Sequence, residues 1–287
     1  MNLLIIGKNS YIGNHIDEWF TKYGWKADQL DVLTEDWKKF DYSPYDAIVH
    51  VAGIVHRSNC NDWDLYKKVN ADMPIGIATK AKEQGVKTYV FFSTMGVYGV
   101  GKALCPNVID ENTPYSMENS MYGKSKLMAE EGLNKLQDRT FNVVSVRPPS
   151  VYGKGCKGGY ITGFTGIVRK LPVIPRAYEN VKQSFIYIDN LSEFVRLAIE
   201  NNLHGGFCPQ DDRIVSANEL MEAIAKGLGK KYRASKLLGL SLRLISFVPL
   251  VNKAYGGVEY ARSLSDIKGL SYVVVPFEEG MRRTVSK

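Results

Sequence analysis

The chain reads Leu3-Leu4-Ile5-Ile6-Gly7-Lys8-Asn9-Ser10-Tyr11-Ile12-Gly13 near its start. Four consecutive aliphatic residues predict a buried strand, and the apolar residues that follow recur at helical spacing. In the turn, Gly7 permits a sharp change of direction, the small Ser10 lets the backbone approach a pyrophosphate, and Gly13 lets helix and strand pack closely. The free N–H groups at the start of the helix attract an anion. The stretch therefore predicts a dinucleotide-binding βα turn, with an ordinary glycine-containing turn as the alternative.

Short aliphatic runs and helical patterns alternate along the first half of the chain. Strands are predicted over residues 47–51, 88–93 and 142–146, and helices over 71–83 and 121–136. This alternation is typical of a parallel sheet covered by helices on both faces. The predicted fold class is therefore α/β, with a Rossmann-type doubly wound parallel sheet. Residues 25–32 are too polar to support the prediction of a further strand.

The amino-acid composition changes after residue 150, where glycines at 153, 155, 158 and 159 precede prolines at 172 and 175. Such a stretch indicates loops. We therefore expect a dinucleotide-binding domain over 1–150, which also receives later elements near 185–200, and a smaller substrate-binding lobe mainly over 151–287. Within this region 185–188 is predicted to be a strand, and Ser216 with Glu219 a capping box that begins a helix ending near residue 227.

Composition and charge exclude several classes of protein. With 287 residues, 45% hydrophobic and 23% charged, the chain is that of a folded globular protein. Its four cysteines are far apart, so no metal site or disulfide framework is predicted, and a cytoplasmic location is expected. The net charge of +7 comes from interspersed basic and acidic residues. It indicates no nucleic-acid stripe, and leaves an anionic small molecule or mere solubility as explanations.

The segment 236–251 is unusually apolar, and five basic residues lie in or beside it: Lys231, Arg233, Lys236, Arg243 and Lys253. A stripe of this kind is more often part of a core or an oligomer contact. A basic amphipathic helix on an anionic membrane surface is the alternative, although Pro249 shortens any such helix.

The pentapeptide Tyr122-Gly123-Lys124-Ser125-Lys126 places a phenol and an ammonium four residues apart, on one face of a helix. A tyrosine with a pKa of about 10 is a poor base at neutral pH. A neighbouring ammonium and an oxidised nicotinamide would favour the phenolate and allow acid–base catalysis. Taken alone, the same spacing also fits an exposed helix face.

Several further motifs follow in order along the chain. They are DAIVHVAG (46–53), Asn70, FSTMGVYG (92–99), IDENTP (109–114), YGKSKLMAE (122–130), RPPSVYG (147–153), FIYIDN (185–190) and PFEEG (276–280). Together with the turn at 7–13, they resemble the extended short-chain dehydrogenase/reductases, in the branch of the nucleotide-sugar epimerases and dehydratases. The resemblance covers nearly the whole chain.

The resemblance implies roles for individual residues. Tyr122 would exchange a proton with the sugar, Lys126 would hold the nicotinamide ribose and lower the pKa of the phenol, and Thr94 would hydrogen-bond the reacting oxygen. The cofactor would be NAD or NADP, and Lys8 beside the turn could attract a 2′-phosphate. Besides Tyr122 and Lys126, the residues expected to contact the cofactor are Gly7, Ser10, Tyr11, Ile12, Gly13, Asp31, Val32, Ala52, Gly53, Asn70 and Pro148.

On the substrate side, the resemblance points to Thr94, Ser150, Lys182 and Gln183. Ser150 replaces a frequent asparagine, and Gln183 replaces an arginine that many relatives use for the substrate diphosphate. Ser10 likewise stands where the family usually has glycine. Met95 and Gly96 follow Thr94 where 4,6-dehydratases carry an Asp-Glu pair, so dehydration is not expected.

These inferences lead to an enzyme that transfers a hydride transiently at C4. The first hypothesis is an NAD(P)-dependent 4-epimerase of a UDP- or similarly activated hexose. The second is an NAD(P)H-dependent nucleotide 4-ketohexose reductase in surface-polysaccharide biosynthesis, and the third is a non-catalytic dinucleotide sensor. The partner would be a nucleotide sugar rather than nucleic acid, and the family favours a homodimer formed through the helices around 71–83 and 121–136.

Overall fold

The computed structural model describes residues 1–33, 36–55, 62–99, 101–116, 120–157 and 159–286. The chain divides into two compact units. The first, called the sheet unit, comprises Met1–Val100, Thr113–Pro148 and Leu191–Pro209. The second unit comprises Gly101–Asn112, Pro149–Asn190 and Gln210–Lys287.

The described residues form the following strands and helices. The strands are β1 (Asn2–Ile6), β2 (Lys26–Leu30), β3 (Ala47–His50), β4 (Thr88–Phe92), β5 (Val108–Ile109), β6 (Asn142–Val146), β7 (Ser150–Tyr152), β8 (Ile174–Pro175), β9 (Lys182–Gln183), β10 (Phe185–Tyr187), β11 (Gly205–Phe207), β12 (Val215–Ser216), β13 (Ala234–Ser235) and β14 (Glu259–Tyr260). The α-helices are α1 (Tyr11–Thr21), α2 (Trp63–Lys67), α3 (Met73–Glu83), α4 (Met121–Asn134), α5 (Gly159–Lys170), α6 (Ile188–Glu200), α7 (Ala217–Gly227), α8 (Lys236–Leu244), α9 (Pro249–Tyr255) and α10 (Phe277–Val285).

The sheet unit is built on a parallel sheet, to which the described residues contribute six strands in the order β11-β6-β4-β3-β1-β2. The chain moves from β1 to β2 on one side and then crosses to β3 on the other side of β1. This reversal is the topological switch point at which doubly wound sheets bind ligands, beyond the carboxyl ends of the strands. The predicted α/β class and doubly wound sheet are confirmed.

Alternation along the strands sends side chains to both faces of this sheet. Ile48 of β3 and Phe91 of β4 are fully buried, in one cluster with Ile77 of α3 and Leu133 of α4. Because helices cover the strands, the inner strands β3, β4 and β6 are buried along almost their whole length. That is why the predicted strands over 47–51, 88–93 and 142–146 agree with β3, β4 and β6 to within a residue.

Two strands of this sheet, β2 and β11, were not predicted from the sequence. Residues 26–30 form β2, which pairs in parallel with β1 from Asn2 opposite Lys26 to Ile6 opposite Leu30. Of its residues only Leu30 is buried. β2 lies at the end of the sheet, and a strand in that position needs few apolar residues, so hydrophobicity gave no signal for it.

The second unit contains small pairs of strands and the helices α5, α7, α8, α9 and α10. The predicted capping box of α7 is present, since Ser216 Oγ accepts a hydrogen bond from Glu219 N and Glu219 Oε2 accepts one from Ser216 N. The segment predicted as one apolar stripe forms two helices, α8 and α9, with Pro249 in the first turn of α9. Among the helices of the described residues, none combines the length and hydropathy required to cross a bilayer.

The packing of β1 predicts the effect of shortening one of its buried side chains. Leu4 is buried in the main cluster, so Leu4→Ala removes apolar contacts and leaves a cavity. We expect a loss of about 2–5 kcal/mol in the free energy of unfolding, measured by urea denaturation. The control is Lys26→Ala on the neighbouring strand, an exposed position where the change should stay within about 0.5 kcal/mol. Equal losses for the two variants would contradict the assigned packing of β1.

Candidate active site

The turn between β1 and α1 requires glycine at its first position. Gly7 has a φ of 123°, and a Cβ there would lie 2.8 Å from Val51 Cγ2. Ser10 caps α1, because its Oγ accepts a hydrogen bond from Gly13 N at 3.0 Å. A Cβ at Gly13 would lie 2.6 Å from that same oxygen. Ser10, which departs from the usual family glycine, thus has a structural function, and the turn keeps the shape of a pyrophosphate cradle at a helix N-terminus.

A cavity of about 550 Å³ opens beside this turn, at the carboxyl ends of β1, β2 and β3. Five of the predicted cofactor residues line it, namely Gly7, Asp31, Val32, Ala52 and Gly53. Residues that the sequence did not single out also line it, among them Leu33, Trp37, Lys38, Lys68 and Met73. With the glycine cradle, this volume fits an extended dinucleotide.

Two acids, Asp28 and Asp31, lie in or just after β2, where an acid could bind the adenine ribose. Asp28 lies within β2 and accepts a hydrogen bond from the Tyr45 hydroxyl at 2.9 Å. Asp31 follows the carboxyl end of β2 and lines the cavity. The end of a strand is where the ribose lies in this fold, so the position of Asp31 is the suitable one.

Thr94 and Tyr122 come together on the same side of the sheet unit. Thr94 follows β4 and begins a 3₁₀ turn at Met95–Tyr98, with its Oγ1 accepting a hydrogen bond from Gly96 N at 3.0 Å. Tyr122 stands in the first turn of α4, and its side chain is hydrogen-bonded to that of Thr94. Burial raises the pKa of Tyr122, and the hydrogen bond from Thr94 opposes this shift. The phenol is therefore protonated at neutral pH.

Lys126 lies one helical turn after Tyr122 and is 3% exposed. Its Nζ donates a hydrogen bond to the carbonyl oxygen of Phe92 at 2.7 Å and lies 4.4 Å from the centre of the Phe91 ring. Burial lowers the pKa of Lys126 to about 7, and the Glu130 carboxylate opposes the shift. The sequence suggested that an ammonium would lower the pKa of Tyr122. In the protein by itself the balance is different, because desolvation dominates at both side chains.

Asn70 connects these groups to the cavity. It lies in a π-helical turn at Lys68–Asp72, between α2 and α3, and is fully buried. Its amide exchanges two hydrogen bonds with the backbone of Ile54 and donates a third to Ser125 Oγ. A Cβ added at Gly53 would lie 3.1 Å from Asn70 Oδ1 and equally near Lys126 Nζ. The amine and the amide therefore lie against the glycine that lines the cavity.

A buried ion pair next to the site was missed by sequence reasoning. The Arg147 guanidinium donates to both carboxylate oxygens of Glu130, at distances of 2.6 to 3.2 Å. Arg147 also donates to the hydroxyls of Tyr98 and Tyr115, and the Ser93 hydroxyl donates to Glu130. The one available signal was Glu130, an acid one turn after Lys126 on the same helix face. The network ties α4 to the ends of β4 and β6.

The remaining predicted residues lie elsewhere. Tyr11 and Ile12 belong to the first turn of α1, and Pro148 follows β6. Ser150, Lys182 and Gln183 lie in the second unit, where Gln183 Nε2 donates to Ser150 Oγ at 3.0 Å and Lys182 pairs with Glu219 at 3.4 Å. Cys105, Cys156 and Cys208 carry free thiols, while Cys60 is outside the described residues. No group of three or more potential metal ligands occurs in the described parts of the chain.

Comparison with known proteins assigns the family. The NAD dependent epimerase/dehydratase family matches residues 3–207, so the chain belongs to it. It is thereby a member of a family of NAD-dependent enzymes, as the sequence predicted, and the expectation of NAD or NADP as cofactor is confirmed.

Individual relatives are more distant. UDP-glucose 4-epimerase of Vibrio cholerae is 29% identical over 190 residues, which are 64% of this chain and 57% of that protein. The N-acetyl-alpha-D-glucosaminyl-diphospho-ditrans,octacis-undecaprenol 4-epimerase of Escherichia coli O157:H7 is 25% identical over 251 residues, 80% of this chain and 73% of that protein. The Bordetella bronchiseptica enzyme WbmH, solved with NAD+, aligns at a TM-score of 0.70 and 20% identity over 99% of this chain and 97% of that chain.

The buried amine predicts a pH dependence of stability. The pKa of Lys126 is about 7 in the folded protein but about 10.4 in an unfolded chain, so the unfolded state binds more protons between these values. The unfolding free energy of the wild type should therefore rise with pH relative to that of Lys126→Met, by up to about 1.4 kcal/mol per pH unit above pH ~7. Urea unfolding across this range measures the difference. Lys87→Met, at an exposed lysine, should run parallel to wild type, and parallel curves for Lys126→Met would refute the shift.

The ion pair predicts a second effect on stability. Glu130→Gln leaves the Arg147 guanidinium buried without its counter-charge, and we expect a loss of about 3–5 kcal/mol in the free energy of unfolding. The control is Arg282→Gln, which breaks an exposed pair with Glu279 and should cost far less, because water screens that pair. Chemical denaturation compares the two variants, and a Glu130→Gln protein as stable as the control would show that the network contributes little.

Proposed function

We propose that this protein is an NAD(P)-dependent 4-epimerase of a hexose activated by UDP or a similar diphosphate carrier. The observation that carries the proposal is the grouping of Thr94, Tyr122 and Lys126 beside a dinucleotide-sized cavity at the switch point of the sheet. The two curated relatives described above are both 4-epimerases of diphosphate-linked sugars. Their names support the position of the reaction on the ring and leave the carrier open between a nucleotide and a polyprenol.

Acid–base chemistry falls to Tyr122. A nicotinamide held at this site would supply the acceptor and donor for the hydride at C4. Tyr122 Oη takes the proton of the C4 hydroxyl as the alcohol is oxidised, and returns it to the carbonyl oxygen after the sugar presents its other face. Thr94 Oγ1 holds the reacting oxygen by a hydrogen bond. Lys126 Nζ, next to Gly53, holds the cofactor ribose and favours the phenolate when it is protonated.

The residues that follow Thr94 favour epimerisation over dehydration. Met95 and Gly96 begin the 3₁₀ turn, and Gly96 lies within ordinary contact of α4, since a Cβ there would be 3.9 Å from Gly123 Cα. Neither residue can transfer a proton. Elimination of water needs an additional acid and base beside the tyrosine, so this arrangement supports hydride transfer alone.

We further propose that the sheet unit binds the dinucleotide and that the second unit binds the substrate. Ser150, Lys182 and Gln183 are the proposed substrate contacts of the second unit. Ser150 of β7 and Gln183 of β9 are joined by a hydrogen bond between their side chains, and Lys182 brings a positive charge to the same strand as Gln183. An amide and a hydroxyl suit the hydroxyl groups of a sugar.

Turnover of activated hexoses tests the proposal. The purified protein with NAD+ should interconvert the C4 epimers of UDP-glucose or UDP-N-acetylglucosamine, or of the same sugars on a polyprenyl diphosphate, with no net change in reduced nicotinamide. Tyr122→Phe removes the proton carrier and should lower kcat by roughly 100- to 10,000-fold. The matched control is Tyr23→Phe, which likewise removes a hydrogen-bonded phenolic hydroxyl. The partner of Tyr23 is the Glu193 carboxylate.

Two results would contradict the proposal. Unchanged turnover in Tyr122→Phe would remove the catalytic assignment. Stoichiometric consumption of NAD(P)H with a 4-ketohexose, without epimer formation, would identify the protein as the ketohexose reductase instead.

A further inference from the structure

One stretch of the chain concentrates positive charge. Residues 226–253 contain seven lysines and arginines and no aspartate or glutamate: Lys226, Lys230, Lys231, Arg233, Lys236, Arg243 and Lys253. The net charge of the whole chain is +7. The other residues are therefore balanced in charge, so the expectation that the surplus is interspersed along the chain is wrong, and this stretch of the second unit accounts for all of it.

The same stretch exposes apolar side chains. On α8, Leu237 is 78% exposed, Leu240 61% and Leu244 77%, and they recur at helical spacing as one stripe. Between α8 and α9, Phe247 is 78% exposed. We call the exposed part of residues 226–253 the basic apolar surface. Its apolar members are Leu237, Leu238, Leu240, Leu244, Ile245, Phe247 and Leu250.

α8 contacts the rest of the second unit through its smallest residue. Gly239 is the buried residue of this helix, and a Cβ there would lie within 1.8 Å of the Arg176 carbonyl oxygen. The helix backbone is thus pressed against β8 and the segment that follows it, while the leucines face outward. The sequence favoured a core or oligomer role for this stripe, and the core role is wrong because the large side chains are on the outer face.

The cations of the surface are also uncompensated. All seven are exposed. Among the ion pairs formed by the described residues, none involves any of them. The exposed leucines keep apolar area in contact with water, and the cations repel one another, so a partner that is both apolar and anionic would relieve both effects.

We propose that the basic apolar surface binds the headgroup region of an anionic lipid bilayer. The apolar stripe of α8 and Phe247 enter the boundary between headgroups and acyl chains, and the cations around it contact anionic headgroups. A second copy of the chain is a poorer occupant, because a symmetric contact would bring two surfaces of charge +7 together. The proposal is independent of the catalytic assignment and needs no particular substrate.

Vesicle co-sedimentation of the full chain tests the proposal. The probes are vesicles of phosphatidylcholine alone and vesicles containing one third phosphatidylglycerol. The protein should sediment with the anionic vesicles and remain in the supernatant with the neutral ones, and binding should weaken with added salt. Protein that stays in the supernatant with anionic vesicles at low salt would overturn the proposal.

Two variants separate the charged and apolar contributions. Lys236→Gln with Arg243→Gln removes two cations, each contributing roughly fivefold to binding at an anionic surface, so partitioning should fall about 25-fold. The matched control is Lys87→Gln with Arg139→Gln, two exposed cations of the sheet unit. Leu240→Glu with Leu244→Glu should abolish binding, while Val274→Glu, an exposed apolar residue outside the surface, should leave it unchanged.

Light scattering of the same variants in solution tests the alternative that this surface is a contact between two copies of the chain. If Leu240→Glu with Leu244→Glu converts a dimer to a monomer and the wild type ignores vesicles, the surface is a contact between copies and the proposal is wrong. Equal loss of vesicle binding in the control pair and in Lys236→Gln with Arg243→Gln would show that net charge alone causes it. That result would also overturn the assignment of this surface.

Discussion

The candidate site depends on holding one amine away from water. An ammonium in a protein interior is strongly disfavoured unless hydrogen bonds and an opposite charge offset the loss of hydration. At Lys126 the offset comes from the Phe92 carbonyl at the end of β4 and from Glu130 one turn further along α4. This geometry fixes the start of α4 against the edge of the sheet where β4 ends. The positions of Tyr122 and Thr94 follow from it, since one stands a turn before the lysine and the other two residues after the carbonyl.

A second layer of buried charge keeps that arrangement rigid. Glu130 is 2% exposed and Arg147 6%, and such a pair persists only when every donor and acceptor has a partner. The Arg147 fork satisfies this condition through Glu130 and two tyrosine hydroxyls. Gly206 on β11 leaves the necessary space, because a Cβ there would lie within 2.7 Å of the guanidinium. The edge strand β11 thus contributes to the site because Gly206 has no side chain and leaves room for the Arg147 guanidinium.

The sequence predicted the parts of the fold that hydrophobic periodicity controls. Buried strands such as β6 were located to the residue. The turn at 7–13 was placed correctly because its backbone shape and close packing require glycine at positions 7 and 13. β2 escaped prediction because a strand at the end of the sheet needs little apolar surface. The ion pair of Glu130 and Arg147 joins residues 17 positions apart on different elements, and no local pattern reports such contacts. A core role was predicted for the leucines of α8 because hydrophobic residues are usually buried, and that prediction was wrong.

The protonation state of the tyrosine links this site to the choice between oxidation and reduction. In the protein alone, burial keeps the Tyr122 phenol protonated and draws the pKa of Lys126 close to neutrality. A protonated phenol can donate to a carbonyl but cannot accept a proton from an alcohol. The ionisation needed to start with an alcohol therefore requires additional positive charge near the phenol, which an oxidised pyridinium ring carries and a reduced ring lacks. Under the proposed assignment, the same three side chains would serve either direction, and a positive charge beside the phenol would determine whether Tyr122 accepts or donates a proton first.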